Sequence, residues 1–506
     1  MKASEIEYVL IQAGGVGSRM EIFTENKPKC LVPYKGKTIL ESTLDFFKGK
    51  KIFIVCDYKK EILKTYVTDI LKVTDVTFIE PIEKSTSSGL KEFFSYIPDN
   101  TPFIFTWSDL LFTTNINIQL DSPITIGLTN DFECRWSVDN KIMVKKSSSI
   151  NGIAGVFFVK GKEYLNNIDS DKSFVGTNLL KYPTEIFSYK TIDGLTEIGT
   201  YEKYTSMLAK EPKNRFFNDV TILENTVIKK CIDPFYNNLI DNEINWYKVL
   251  NGKVNFIPKL LTESPLTMTR ITGKHIFDKS WDIIEESKIM ISIISNLNNI
   301  HSLETISSKY EDMSEIYLNK TFSRVNQIKS IIPHFNDLTI NINGKICLNP
   351  FHEMNLNTFK DSIKDLYVPN YNIIHGDTTF SNILIDDDLN TFLIDPRGIF
   401  GNTKIYGDKA YDWAKLFYSV NGNYDSINSK NFHVKIDSNA VKLTIKSNNF
   451  ERFSHMVIEA SGLTKSKMLL HQTLIWLSLT GYVKEDIDSI LYSFYYGIYL
   501  WNLSLN

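Results

Sequence analysis

The chain has 506 residues, more than one hydrophobic core organises, so about two to four domains are expected. Its 43% hydrophobic and 23% charged residues are those of a globular protein and exclude a disordered or fibrous one. A net charge of −3 supplies no basic field, so neither a nucleic acid nor an anionic membrane is expected as a partner. The cysteines Cys30, Cys56, Cys134, Cys231 and Cys347 are odd in number and form no C-x-x-C pair. That fits reduced thiols in a cytoplasmic protein better than a disulfide framework or a zinc site. Ser4, Glu5 and Glu7 interrupt the start too early for a signal segment. Ile487 to Leu505 is broken by Asp488, Ser489, Ser493 and Asn502, so an aromatic core helix is expected there and no membrane insertion.

In chain order, Tyr8-Val9-Leu10-Ile11 reads as a short buried strand running into Gly14, Gly15, Gly17, Ser18 and Arg19. A strand feeding a glycine-rich turn brings backbone N–H groups close to phosphates, because glycine permits the dihedrals without side-chain bulk. No ribose-binding acid follows about 20 residues on, which argues against a dinucleotide fingerprint. Instead Lys27-Pro28-Lys29-Cys30-Leu31-Val32-Pro33 supplies a basic, proline-stiffened segment for the same phosphates. Lys51–Val55 and Val76–Ile79 read as strands with a helix over 59–73 between them, the alternation of a parallel sheet. Phe103–Trp107 is a further buried strand leading to Asp109.

The glycine loop and the K-P-K-x-L-V-P segment resemble the sugar-nucleotide type nucleotidyltransferases, including the choline-phosphate cytidylyltransferases. The resemblance implies that Gly14, Gly15, Gly17, Ser18 and Arg19 hold the triphosphate, that Lys29 contacts phosphates during transfer, and that Asp109 binds the catalytic Mg²⁺. Ser85–Leu90, with Ser88 and Gly89, resembles the segment that meets base and ribose, and Asn151–Phe158 the glycine-bearing strand beside the acceptor. Glu197-Ile198-Gly199-Thr200-Tyr201-Glu202-Lys203-Tyr204 resembles the closing signature of that family, with Glu197 in place of the usual aspartate. A glutamate still offers oxygen to Mg²⁺, but its extra methylene shifts the carboxylate by about an ångström, and Mg²⁺ tolerates little distortion. Glu197 is therefore the expected second ligand, with Asp109, water and phosphates as the alternative.

A charged, proline-containing hinge is expected at 210–214. Residues 215–223 and 227–231 then read as a hairpin around Glu224-Asn225-Thr226. A strand ending in lysine, followed by an acid on a helix, is how kinases position nucleotide phosphates. Alternation favours Lys229 and leaves Lys230 open; the partner acid is Glu243 on a helix over 240–250. Leu266–Gly273 reads as a strand and hinge, and a helix follows over 282–301. The stretch Ile374–Gly398 carries the strongest signal of the chain. Two apolar runs end in Asp377 and Asp395, and Asn382 follows Asp377 by five residues, the spacing of the kinase catalytic loop. Phosphoryl transfer needs that inventory: a carboxylate for the substrate hydroxyl, and an asparagine and an aspartate for Mg²⁺. Asp412 is expected to cap or brace the loop, and the Asn/Ser-rich segment 421–448 to form a lid or flap.

This half resembles the aminoglycoside phosphotransferase and choline kinase superfamily. The resemblance implies Asp377 as base, Asn382 and Asp395 as Mg²⁺ ligands, and His375 as a support for the loop. Pro396-Arg397-Gly398 departs from the aromatic acid usual in choline kinases, and Arg397 is open between an anionic ligand and a structural ion pair. The expected architecture is an α/β Rossmann-like nucleotidyltransferase domain, 1–211, followed by a two-lobed α+β protein-kinase-like domain, 212–506. Its small lobe would cover about 212–275 and its large lobe about 276–506. The expected function has two steps: ATP phosphorylates a small alcohol (choline or ethanolamine, a sugar or a polyol), then CTP or another NTP donates a nucleotidyl group to the product. The nucleotidyltransferase resemblance of the first half also allows a homodimer. A kinase with a degenerate first domain, and a nucleotide sensor, are the rival readings.

Overall fold

In the computed structural model, residues 1–210, 218–234 and 237–505 are described. The hinge expected at 210–214 and the first residues of the expected hairpin, 215–217, lie largely outside them. The chain divides into two units, Met1–Glu211 with Glu485–Ile487, and Pro212–Lys484 with Asp488–Asn506.

In the first unit, short runs rich in apolar residues give the strands of a parallel sheet, buried at its centre and half-buried at its Val76–Ile79 edge. These are β1 (Tyr8–Gln12), β2 (Lys51–Val55), β3 (Val76–Ile79) and β4 (Phe103–Trp107). β1 runs parallel to both β4 and β2, and β3 lies parallel beyond β2. Leu10, Phe53, Phe93, Phe103, Phe105 and Phe157 belong to the core built on this sheet. Further strands are β5 (Leu110–Phe112), β6 (Ile124–Thr129), β7 (Gly152–Val159), β8 (Phe187–Thr191) and β9 (Leu195–Glu197). β7 adds antiparallel to β4 and β6 to β7, while β9 pairs with β5 so that Glu197 stands opposite Leu110. This Rossmann-like sheet places the glycine loop and Asp109 beyond the carboxyl ends of neighbouring parallel strands, where such sheets bind ligands. The helix read over 59–73 forms as Lys60–Thr65 and then widens into a π-turn over Tyr66–Ile70.

The second unit starts with β10 (Asn218–Ile222) and β11 (Thr226–Cys231), an antiparallel hairpin, followed by α1 (Asn237–Leu250). β12 (Leu260–Thr262) and β13 (Leu266–Thr269) complete a four-stranded sheet in the order β10-β11-β13-β12. Next come α2 (Ile283–Ser302) and α3 (Lys320–Asn326). Asp282 caps α2 by accepting the N–H groups of Ile284 and Glu285 at 2.8 and 2.9 Å, as an N-cap aspartate should. β14 (Thr339–Ile342), β15 (Asn370–Ile373), β16 (Ile383–Ile385) and β17 (Thr391–Leu393) precede α4 (Lys409–Val420). β16 and β17 pair antiparallel, so the loop between β15 and β16 ends close to the residues that follow β17. Residues 421–448 do not stand free as a flap. Their strands β18 (Phe432–Ile436) and β19 (Val441–Ile445) join one sheet with β14, through Ile342 opposite Val441. α5 (Lys465–Thr480) is buried on all sides from Met468 to Thr480, and α6 (Ile487–Ser504) carries the aromatic residues expected of a core helix. No helix among the described residues is long and apolar enough to cross a membrane.

Candidate functional site

The first site grows out of the end of β1. Gly17 takes a left-handed φ of +69°, and a Cβ on it would stand 2.9 Å from the Cβ of Lys29. A glycine is therefore what lets the loop and the lysine segment approach each other. Ser18 and Arg19 are exposed at the loop's far end, while Lys29 pairs with Asp109 across the opening. Gln12 ties β1 to the Ser85–Leu90 segment, its Nε2 donating to Ser88 O at 2.9 Å. Gly89 is left-handed at +80°, and a Cβ there would fall 2.6 Å from Val55. Behind them, Trp107 lies directly over Gly155 of β7, a position a side chain would fill.

Asp109 and Glu197, the two residues expected to hold metal, are neighbours through the backbone: Ile198 N–H donates to Asp109 O at 2.9 Å. Asp109 Oδ1 is buried with no hydrogen-bond partner, an oxygen left over for a cation. Glu197 is turned toward Lys203 and Gly199. Glu197, Lys203, Asp131 and Met207 line a cavity of about 380 Å³. Among the described residues no three histidine, cysteine or carboxylate side chains converge on one point. Two carboxylates with phosphate and water oxygens nevertheless suit Mg²⁺, which keeps most of its coordination for substrate and water.

The family model described as a MobA-like NTP transferase domain matches residues 9–119. Over 200 residues the chain is 30% identical to a glucose-1-phosphate cytidylyltransferase of Salmonella typhimurium, a match covering 32% of this chain and 78% of that protein. The chain belongs to the NTP transferases. The residues that the family model matches fall in the first unit, which is the nucleotidyltransferase unit. A D-glycero-alpha-D-manno-heptose 1-phosphate guanylyltransferase of Campylobacter jejuni is 26% identical over 184 residues, covering 33% of this chain and 80% of that one. Among solved structures, HddC from Yersinia pseudotuberculosis matches at 22% identity and a TM-score of 0.34, over 40% of this chain and 98% of its own.

The second site lies outside the nucleotidyltransferase unit. Of the two candidate lysines, Lys230 is exposed and Lys229 is buried, with Nζ 2.6 Å from Glu243 Oε2 and 3.0 Å from Asp395 Oδ1. Burial opposes the charge on Lys229, and the two carboxylates outweigh it and hold its pKa above the ordinary value. α1 brings more than Glu243. One turn on, Trp246 Nε1 donates to Ile374 O at 2.7 Å, and Tyr247 Oη accepts from Asp395 N–H at 3.3 Å. Gly398 lies against Asn242 O with no room for a side chain. Asp395 itself holds a left-handed φ of +54°, uncommon for a residue with a side chain.

The Asp377 loop is built around a buried carboxylate. Asp412 accepts the N–H groups of His375 at 2.8 Å and Gly376 at 2.6 Å, and lies 3.0 Å from His301 Nε2. His375 accepts the Asp377 N–H on Nδ1 at 3.3 Å, which leaves Nε2–H to donate to Ile394 O at 2.9 Å. Burial holds its pKa below the ordinary value against the pull of Asp412 and Asp377, so the ring is neutral and structural. Asn382 Nδ2 donates to Asp377 O at 2.7 Å, leaving its amide oxygen as the end that can meet a cation. Ile394 N–H donates to Asn382 O at 3.0 Å, which binds the Asn382 turn to the strand leading to Asp395. An amide oxygen and a carboxylate on adjoining backbone are suitable ligands for Mg²⁺. Sequence reasoning left out Lys415, whose Nζ is 3.0 Å from Asp377 Oδ1, and the neighbouring Lys320, Arg324 and Tyr411. Their only sequence signal is spacing, Tyr411 with Lys415 and Lys320 with Arg324, each four apart on one helix.

Proposed function

We propose that the chain is bifunctional, its second unit a small-molecule kinase and its first a nucleotidyltransferase that activates the kinase product. The observation carrying the kinase half is the convergence of Lys229, Glu243 and Asp395 with a loop that presents Asp377 and Asn382. Such a set supplies what phosphoryl transfer requires, a lysine held for the phosphates, oxygen ligands for Mg²⁺ and a carboxylate for the acceptor hydroxyl. Asp377 takes the hydroxyl proton as the oxygen attacks the γ-phosphorus of ATP. The bond to the β,γ-bridging oxygen breaks and ADP leaves. Asn382 and Asp395 would hold Mg²⁺, which when bound offsets charge on the transferring phosphate.

In the first unit a phosphate oxygen of that product attacks the α-phosphorus of CTP or another NTP, and pyrophosphate leaves. The glycine loop and Arg19 receive the triphosphate, Lys29 neutralises charge at the reacting phosphates, and Asp109 with Glu197 would hold Mg²⁺. The relative named a glucose-1-phosphate cytidylyltransferase supports CTP and a sugar-like or polyol phosphate acceptor. The product would be a nucleotide-activated group for surface polysaccharide or lipid.

Phosphorus NMR of the full chain with ATP, CTP, Mg²⁺ and a panel of alcohols tests the proposal. A diphosphodiester plus pyrophosphate is the expected result. A phosphomonoester alone would leave only the kinase half, and no turnover would favour a sensor.

A further inference from the structure

Four cations gather around the loop that carries Asp377. Lys415 on α4 pairs with it at 3.0 Å. Arg397 is fixed beside the same loop: its N–H donates to His375 O at 2.8 Å, and its Cβ lies 2.9 Å from where a Cβ on Gly376 would stand. Lys320 opens α3 and donates to Tyr411 Oη at 3.5 Å, one turn before Lys415 on α4. Arg324 follows Lys320 by one turn, donates to Ser478 O at 2.8 Å and lies 5.7 Å from the centre of the Tyr482 ring. All four are partly exposed, so a ligand can reach them.

The cluster is electrostatically unbalanced. Among the described residues Lys415 has a carboxylate partner, and Lys320, Arg324 and Arg397 have none within ion-pairing distance. Burial, then the charges of Arg397, Arg324 and Lys415, push Lys320 down to about 8, although Tyr411 pulls the other way. Burial opposes ionisation of Tyr411, yet Lys320, Lys415 and Arg397 bring it down to about 7. Asp425, whose field meets that of Asp377, is pushed up to about 6 by burial. Like charges crowded in a low-dielectric setting repel, and a ligand that brings negative charge relieves the repulsion.

We infer that the alcohol presented to Asp377 carries a small oxyanion, a carboxylate or a phosphate, bound by Arg397, Lys320, Arg324 and Lys415. The inference rests on the kinase reading of Asp377 and deepens it. A guanidinium matches the planar oxygen pair of either group with two parallel hydrogen bonds, and the lysines add point charge. A quaternary ammonium such as choline meets repulsion at the same place, which turns the expectation away from choline and ethanolamine toward acidic polyols or sugars.

The test measures both binding and turnover on the full chain with Mg²⁺. Glycerate, glycerol 3-phosphate, glycerol and choline are compared as acceptors by phosphorus NMR and, in the presence of a non-hydrolysable ATP analogue, by calorimetry. Glycerate or glycerol 3-phosphate is expected to react and bind, with the better of the two naming the oxyanion. Arg397→Gln and Lys320→Gln are each expected to raise the acceptor KM about tenfold or more, the loss of one charge-assisted contact, and to leave the ATP KM unchanged. Turnover of glycerol or choline equal to that of the anions, unaffected by both variants, would overturn the oxyanion site and leave the kinase standing. Anion binding that both variants abolish, with no turnover of any alcohol, would support the site and overturn the kinase. Neither binding nor turnover would overturn both.

Discussion

Each unit pairs a candidate lysine with a carboxylate, and the two do it differently. In the first, Lys29 is paired with Asp109, the residue proposed to bind metal. In the second, Lys229 lies between Asp395, the proposed metal ligand, and Glu243, which is not one. On the proposed reading, a cation on Asp109 would release Lys29 toward the nucleotide, whereas Lys229 would keep Glu243 whatever Asp395 does. A lysine as buried as Lys229 needs that standing partner, because an unpaired buried charge costs several kcal/mol. Lys29 is nearly as buried, and among the described residues Asp109 is its one carboxylate partner.

The largest effects should come from separating the two chemistries. Asp377→Asn is expected to lower phosphorylation by about 10²- to 10⁴-fold, the usual worth of a general base, and to spare nucleotidyl transfer to an added phosphomonoester. Asp109→Asn should do the reverse. Phosphorus NMR reads both, and a variant that stops both reactions would break the division of labour. Next, Glu243→Gln should lower kcat/KM for ATP about ten- to hundredfold, the worth of one charged hydrogen bond. In the first unit, Glu197→Gln sharpens the contrast, since near-normal transfer at saturating Mg²⁺ would remove Glu197 from the ligand set. Asp412→Ala strips the acceptor from two buried loop N–H groups and should cost about 2–4 kcal/mol, read as a lower denaturant midpoint of the second unit.

The smallest effect concerns pH. Burial, with Lys467 adding to it, pushes His471 down to about 3, and its Nδ1 has no partner. Its folded value lies below the unfolded value near 6.5, so on acidification the unfolded chain takes up the proton first and stability falls. Relative to His471→Leu, the wild type should lose about 1.4 kcal/mol per pH unit from about 6.5 down toward 3. Denaturation at pH 7 and pH 5 checks this, and an unchanged difference would show that the ring reaches a partner or water.

The parallel sheet of the first unit was legible because Tyr8–Ile11, Ile52–Val55 and Phe103–Phe105 are uninterrupted apolar runs, and such runs have few other uses. The nearness of Asp377, Asn382 and Asp395 was legible because all three and their turns lie within 25 residues. What could not be read was non-local. The strands at 432–445 lie in one sheet with Thr339–Ile342, about 100 residues earlier, so on sequence alone they resemble a loose flap. Lys320, Arg324 and Lys415 look like ordinary solvated helix charges until the fold of the second unit sets them around Asp377. The π-turn after Thr65 changes the pitch of a helix without changing its composition.

The run of contacts along α1 carries one more consequence. Asn242, Glu243, Trp246 and Tyr247 touch Gly398, Lys229, Ile374 and Asp395 in turn, so one helix indexes Lys229, Asp395 and the loop that carries Asp377 together. On the proposed kinase reading, nucleotide binding and proton abstraction would then share a single mechanical coordinate, and a perturbation at Trp246 should register in ATP affinity and turnover alike.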